Sequence, residues 1–181
     1  IQIAWGRINM PDMPFNQMML FPVTLTLQTI EEGPRMFAEP VREISRLHKS
    51  SKRWMNGPIR HVNNLLKELS IELVHIHADL LLHEATEIGF VIRDIPVVYD
   101  VENQELSCLG NKASLKPVNG KIQLELLVDR TSIEIFANHG RIYMPIGVIL
   151  AGNSKSFEIF TKDGNVEVNS LEVFELSSIW Q

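Results

Sequence analysis

Apolar and polar residues alternate through most of this chain, which restricts it to folds built from half-buried strands. Every second residue is apolar from Ile122 to Val128 in KIQLELLV, from Val74 to Leu80 in ELVHIHADLLL, and from Val23 to Leu27 in PVTLTLQ. Side chains two residues apart on a strand share one face of the sheet. Further strands are predicted in VIRDIPVVYD, SIEIFA, RIYMPIGV, SFEIFT and VEVNSLEVFEL. Turn signals separate them at Asn119-Gly120, Asn138-His139-Gly140, Gly152-Asn153-Ser154 and Lys162-Asp163-Gly164-Asn165. Many short strands at ~8–12 residue spacing predict a sandwich or barrel.

Two segments depart from this alternation. The stretch Glu31–Pro58 is rich in charged residues, Gly, Pro and Ser, and its prolines disfavour regular structure, so we interpret it as a linker. The next segment has apolar residues at roughly helical spacing, which is compatible with one or two helical turns, although a strand or loop also fits. These residues are Ile59, Val62, Leu65, Leu66 and Leu69.

Composition narrows the classes of partner. The net charge of the 181 residues is −5, and the basic cluster between Arg42 and Arg53 has one aromatic neighbour, Trp54, so we expect no nucleic-acid binding. No apolar run approaches the ~20 residues needed to cross a bilayer, so we expect no membrane partner. Cys108 is the only cysteine, which excludes an intrachain disulfide and a cysteine-based zinc site.

A histidine-rich strand is one candidate for chemistry. His75, His77 and Asp79 alternate on one face, and His83 follows four residues later. Two imidazoles and a carboxylate about 7 Å apart along a strand are ligand types that zinc accepts. Solvent-facing strand positions also collect His and Asp without any metal, and this second interpretation is the one we adopt: no metal site is assigned.

Two glutamates are a second candidate. If LVDRTSIEIF forms a hairpin that turns at Asp129-Arg130, Glu125 lies opposite Glu134. Carboxyl groups ~5–5.5 Å apart are what a retaining glycosidase uses. A different turn register, or a basic neighbour such as Lys121 or Arg141, explains the pair more simply, and no catalytic residue is assigned.

Several phrases resemble glycoside hydrolase family 32, the family of levanases, inulinases and invertases. IQIAWGR, MPFNQMMLFPVTLTL and EGPRMFAEPVREI resemble the end of its catalytic propeller, and LLVDRTSIEIFANHGRIYMP and NSLEVFELSSIW resemble the β-sandwich that follows it. The resemblance implies an all-β chain, an antiparallel β-sandwich preceded by remnant strands of a five-bladed propeller and a linker. Its implied divisions are propeller strands at 1–30, a linker at 31–62 and a sandwich at 63–181. Because Ile1 begins a strand-like run, we expect the chain to be a piece of a longer one.

The family hydrolyses β-fructosidic bonds with two acidic residues and without metal or organic cofactor, so the resemblance implies a fructan or sucrose-type substrate. Its nucleophile stands in a Trp-Met-Asn-Asp-Pro-Asn phrase. RWMNGPIRH imitates that phrase but has Gly57 in place of the carboxylate, and glycine has no nucleophilic group. The family's other two acids stand in an Arg-Asp-Pro and a Glu-Cys phrase. Arg93-Asp94-Ile95-Pro96 imitates the first with one inserted residue, and Cys108 follows Ser107 where the second has Glu. We therefore expect this chain to be an inactive, structural fragment. By analogy with the family, we expect the parent enzyme to be exported.

The propeller remnant holds the one set of predicted substrate-binding residues. Trp5, Arg7 and Asn9 lie in or after its last strand, where they are able to approach the rim of a sugar pocket. The alternative is that Trp5 belongs to the blade core and Arg7 is solvated.

Two further functions stay open. One is a fructan-binding module that uses Trp54 and Trp180 as platforms. The other is a stand-alone interaction domain, stabilised by a partner that covers the unpaired edge left by the missing propeller. The expected partners of the chain are the upstream propeller domain and a second copy of the chain, as in a homo-oligomer.

Overall fold

Two large antiparallel sheets face each other in this molecule, and two β-hairpins precede them. The computed structural model describes residues 1–66, 69, 71–150, 156–164 and 167–179. Over these residues the chain is an all-β antiparallel sandwich, as predicted. The turn signals at 152–154, Asn165 and Trp180 lie outside the described residues.

The strands in chain order are β1 (Trp5–Arg7), β2 (Gln17–Met19), β3 (Val23–Ile30), β4 (Gly33–Pro40), β5 (His48–Pro58), β6 (Val74–Leu81), β7 (Glu87–Ile92), β8 (Ile95–Asp100), β9 (Glu105–Cys108), β10 (Asn111–Ser114), β11 (Lys121–Val128), β12 (Ser132–Ala137), β13 (Ile142–Gly147), β14 (Phe157–Lys162) and β15 (Glu167–Leu176). A 3₁₀ helix spans Arg42–Leu47, and helix α1 spans Ile59–Leu66. One sheet has the order β10-β9-β8-β7-β14 and the other the order β13-β12-β11-β6-β15-β5. The pairs β1-β2 and β3-β4 are the N-terminal hairpins.

The main core fills the space between the two large sheets. The alternating apolar residues of β6 and β11 point into it and are buried, which confirms the faces predicted from the sequence. Phe90 and Tyr99 enter from the opposite sheet and are also buried. The Tyr99 hydroxyl donates to the carbonyl oxygen of Leu115 at 2.9 Å, so the one polar atom that this ring brings into the core is satisfied.

A second, smaller core lies on the other face of the six-stranded sheet. The segment after β2 crosses this outer face and buries Val23, Ala38, Val41 and Ile44 against Leu127, Phe136 and Leu176. The six-stranded sheet is therefore covered on both sides in this region, by the opposite sheet and by the N-terminal segment.

The predicted linker at 31–62 is wrong as a description of local structure. β4 pairs with β3, and β5 pairs with β15 as the edge strand of the six-stranded sheet. Pro34 and Pro40 lie near the ends of β4, and Pro58 is the last residue of β5, where a missing N–H costs little. Basic residues that indicated a solvated linker instead form ion pairs across this edge, Lys49 with Glu175 and Arg53 with Glu172.

The helical spacing from Ile59 onward is confirmed as α1. Ile59, Val62 and Leu66 are buried in the main core, and Leu69 packs against it. The side chain of Leu65 lies outside the described part of the chain. None of the helices in the described ranges is long and apolar enough to span a membrane.

The half-buried face predicted for PVTLTLQ is confirmed at one end only. Val23 is buried, but Leu25 and Leu27 on the same face are exposed, Leu27 by 70%. Among the described strands only β4 pairs with β3, and Gln2 forms a single bridge with Val23 at the start of β3. No described residue covers the side chains of Leu25 and Leu27 at the far end.

Gly89 should be the least replaceable glycine of the sandwich. A Cβ atom there would lie 1.9 Å from the carbonyl oxygen of Val97 on the neighbouring strand, whereas one on Gly57 meets nothing closer than 3.9 Å. We expect Gly89→Ala to lower the free energy of unfolding by at least about 2 kcal/mol, and Gly57→Ala to change it by less than about 0.5 kcal/mol. Urea denaturation of both variants measures this, and equal midpoints would contradict the strand packing described here.

Candidate functional site

The outer face of the six-stranded sheet carries buried polar side chains that are hydrogen-bonded to one another or to the backbone. One of them, Glu134 of β12, is completely buried. Its Oε1 accepts the backbone N–H of Phe21 at 2.9 Å, and its Oε2 accepts the hydroxyl of Tyr143 at 2.6 Å. The Tyr143 ring stacks on Phe136 with centroids 4.7 Å apart. Glu134 therefore joins the N-terminal segment to the sandwich.

Burial sets the electrostatics of this contact. Loss of water raises the pKa of Glu134, while the hydrogen bonds from Tyr143 and Phe21 act in the opposite direction. Burial and the hydrogen bond to Glu134 raise the pKa of Tyr143, which keeps its hydroxyl protonated as a donor. A buried carboxylate with two fixed donors is a structural anchor, since neither oxygen is open to a ligand.

A second polar group surrounds His75, on β6. The Nε2 atom of His75 lies 2.8 Å from Oε1 of Glu125, and its Nδ1 lies 3.0 Å from Nε2 of His48. The Nε2 of His77 lies 3.8 Å from the same Glu125 oxygen. The His48 ring stacks on Phe174 with centroids 3.9 Å apart, so three imidazoles, one carboxylate and one phenyl ring form a continuous cluster.

Strand register brings this cluster together. His77 pairs directly with Glu125 across β6 and β11, and His75 lies one pair further along the same face. Desolvation, with His75 as the next cause, lowers the pKa of His77, and desolvation with both neighbouring histidines lowers that of His48. In both rings these contacts favour the neutral imidazole over the charged form.

The structure confirms part of the histidine pattern seen in the sequence. His75 and His77 do share a face, but Asp79 does not join them: its Oδ2 accepts the hydroxyl of Ser170 at 3.0 Å. His83 lies in the exposed turn after β6. Glu125 and His48 complete the cluster instead, and no sequence signal links either residue to β6.

The predicted pairing of Glu125 with Glu134 is wrong. Val128 pairs with Ile133, so the β11–β12 turn is longer than Asp129-Arg130 and shifts the register by two residues. Glu125 consequently lies opposite Phe136, and Glu134 opposite Leu127. The two carboxyl groups bind different partners, and neither is positioned as one of a catalytic pair.

The predicted rim residues lie on the first hairpin. Trp5 and Arg7 are on one face of β1 and Asn9 follows in the loop; all three are exposed, Trp5 by 74%. The backbone of β1 lies against β13, since a Cβ on Gly147 would lie 2.4 Å from the carbonyl oxygen of Arg7. The role of these three residues stays a prediction.

The phrases that imitate the family's acidic motifs lie in a strand, a turn and the core of the sandwich. Gly57 lies in β5, and Arg93-Asp94 forms the turn between β7 and β8 with positive φ at both residues. Cys108 is buried, and burial raises the pKa of its thiol to about 11, which makes it unreactive at neutral pH. Trp54, one of the two sugar platforms considered, packs partly against the main core.

The architecture is that of the sandwich in known fructosidases. An exo-inulinase from Aspergillus awamori superposes with a TM-score of 0.77 at 16% identity, over 95% of this chain and 38% of that one. A fructofuranosidase from Schwanniomyces occidentalis, complexed with fructose, gives a TM-score of 0.74 at 16% identity, over 97% of this chain and 45% of that one. At these identities the likeness shows the fold alone.

Sequence comparison shows the family. The model "Glycosyl hydrolases family 32 C terminal" matches residues 43–175. A levanase from Bacillus subtilis (strain 168) is 32% identical over 97% of this chain, and a levanase from Bacillus sp. (strain L7) is 27% identical over all of it. The chain belongs to glycosyl hydrolase family 32 and corresponds to its C-terminal region. It spans 30% and 23% of the lengths of these two relatives.

Removing the carboxyl group of Glu134 should loosen the N-terminal segment. Glu134→Ala leaves the Phe21 N–H and the Tyr143 hydroxyl without their buried acceptor, and we expect a loss of about 2–4 kcal/mol in the free energy of unfolding. Chemical denaturation measures the loss. A change below about 0.5 kcal/mol in the free energy of unfolding would contradict the role of Glu134 as an anchor.

The matched variant Glu134→Gln tests whether ionisation of the buried Glu134 lowers the stability of the fold. Because the pKa of Glu134 is raised above 4.5 in the fold, the folded state holds this proton more tightly than the unfolded chain does. The native protein should therefore lose stability relative to Glu134→Gln as pH rises from 4.5 through the raised pKa. Parallel pH profiles for the two proteins would contradict a raised pKa.

Proposed function

We propose that this chain is the architectural C-terminal part of an enzyme that hydrolyses β-fructosidic bonds in fructans, with levan as the first candidate substrate. Relatives named levanases support the substrate class. The parent enzyme would be a retaining hydrolase whose two reactive carboxylates lie in an upstream propeller domain. By the same analogy, we propose that it is exported from the cytoplasm.

Exposed apolar side chains on the two N-terminal hairpins carry this proposal. Trp5, Met19, Leu27 and Met36 are 74%, 72%, 70% and 53% exposed. Trp5 lies opposite Met19 on the first hairpin and Leu27 opposite Met36 on the second, so each hairpin presents an exposed apolar pair. Exposed apolar surface of this kind is suited to contact with another protein element. The upstream propeller is the occupant we propose, with residues 1–30 as its last strands.

The glutamates of the outer face support an inert role for this chain. Both Glu134 oxygens are held by fixed donors, and Glu125 is hydrogen-bonded to His75. The phrase RWMNGPIRH, which only imitates the family's nucleophile phrase, has Gly57 in place of the carboxylate. The chain therefore contributes shape and contact surface to the enzyme.

Trp5, Arg7 and Asn9 belong to the same proposal. All three are exposed on the first hairpin or in the loop that follows β1, within the proposed last strands of the propeller. An aromatic face with polar neighbours suits a hexose, so we assign them to the rim of the sugar pocket in the whole enzyme.

The chain should release no fructose by itself. Purified protein is incubated with sucrose, inulin and levan, and free fructose is measured against a blank without protein. We expect no difference from the blank, because the reacting acids lie elsewhere. Release that is specific to one of these saccharides would overturn the proposal.

Retention on levan in affinity electrophoresis separates the architectural role from a fructan-binding module. The architectural proposal predicts migration equal to that in a gel without levan. Retarded migration that free levan reverses would favour the binding module instead.

The β3–β4 hairpin should also make the chain self-associate, because its exposed apolar side chains lack the cover that we propose. Leu27 and Met36 are opposite each other on β3 and β4. We expect the double variant Leu27→Lys, Met36→Lys to shift light scattering towards monomer. The control double variant Thr26→Lys, Gln28→Lys alters exposed polar positions of β3 and should leave association unchanged. A wild-type monomer at high concentration would contradict this assignment of the surface.

A further inference from the structure

The cluster on the outer face of the six-stranded sheet has the composition and spacing of a transition-metal site. The ligating atoms of His75, His77 and Glu125 all lie within 4.8 Å of one another. Two imidazoles and one carboxylate are the donor set of many zinc sites that keep an open fourth position. We propose that these three residues bind a zinc ion, with water as the remaining ligand.

The distances fit an ion after a small adjustment. Zinc at ~2.0–2.2 Å from each donor places tetrahedral ligand atoms roughly 3.3–3.6 Å apart. The His75–Glu125 separation of 2.8 Å is shorter than this, and the His77–Glu125 separation of 3.8 Å is longer. The His77 side chain is 38% exposed, so it has room to move inward while Glu125 moves away from His75.

His48 supplies the partner that a metal-binding histidine requires. Its Nε2 lies 3.0 Å from Nδ1 of His75, on the side of the ring away from Glu125. When His75 donates its Nδ1 proton to His48, its Nε2 lone pair is free for the metal. Stacking on Phe174 holds the His48 ring in place for this hydrogen bond.

The proposed site opens to solvent through a cavity that has more carboxylates than cations on its walls, which suits a positive ion. Glu125 lines an open cavity of about 610 Å³ between the sheet and the N-terminal segment. Glu39 and Glu43 line the same cavity together with Arg42, so carboxylates outnumber cations around the entry path.

Donor chemistry favours zinc over the alkaline-earth ions. Ca²⁺ and Mg²⁺ prefer oxygen ligands, whereas imidazole suits zinc, copper and nickel. Because β6 and β11 are adjacent strands of the covered sheet, the ion would stabilise the sheet beside the N-terminal segment and would take no part in fructoside hydrolysis.

Isothermal titration of Zn²⁺ into chelator-treated protein without a polyhistidine tag tests the proposal. We expect one site per chain, and Mg²⁺ at the same concentrations should give no binding heat. His77→Ala should weaken zinc binding at least ~100-fold. The control His61→Ala, which removes an exposed histidine of α1, should leave affinity and stoichiometry unchanged.

Two further measurements keep the test decisive. Circular dichroism establishes that His77→Ala is folded, and His77→Gln serves in its place if it is not. Zinc should raise the Tm of the wild type and leave that of the His77 variant unchanged. The proposal is overturned if the wild type binds no zinc, or if His77 and His61 variants lose affinity equally.

Discussion

A buried carboxylate on the outer face of the six-stranded sheet is the constraint on which the rest of this molecule depends. Glu134 has no exposed surface, so its burial is tolerable because two donors fix both oxygens. One donor is the neighbouring strand's Tyr143, and the other is the backbone N–H of Phe21. The sheet is thereby bound to a segment more than a hundred residues away in the sequence.

This contact is one of several that join the N-terminal segment to the sandwich. Apolar residues from Val23 to Ile44 bury against the sheet around the carboxylate, and close backbone contacts fix both hairpins. Ala38 donates its N–H to the carbonyl of Gly140 at 2.9 Å, and a Cβ on Gly140 would collide with the Ala38 carbonyl. These contacts fix the position of both hairpins on the sandwich, as the architectural role that we propose requires.

Alternation predicted the sandwich well because the core strands have one apolar and one polar face. The alternate apolar residues of Val74–Leu80 and Ile122–Val128 point into the core as expected. β4 and β5 were missed because proline and charge dominate their composition, whereas prolines near strand ends and lysines on an edge strand are compatible with pairing. Helical spacing identified α1 because three of its apolar residues enter the main core.

The sites were harder to predict because they depend on strand order and register. The sequence gives the face on which His75, His77 and Asp79 lie, but it does not say that β11 lies beside β6 and brings Glu125. His48 reaches His75 across β15, a neighbour relation that sequence periodicity does not encode. The longer β11–β12 turn likewise separates Glu125 from Glu134.

Native-state hydrogen exchange at the Phe21 amide, followed by NMR, tests most directly whether the buried carboxylate holds the N-terminal segment. Leu126 in β11 supplies the reference for a core amide. Our account predicts that the Phe21 amide is protected to a degree approaching that of Leu126. Exchange at the rate of an exposed amide, while Leu126 remains protected, would contradict it.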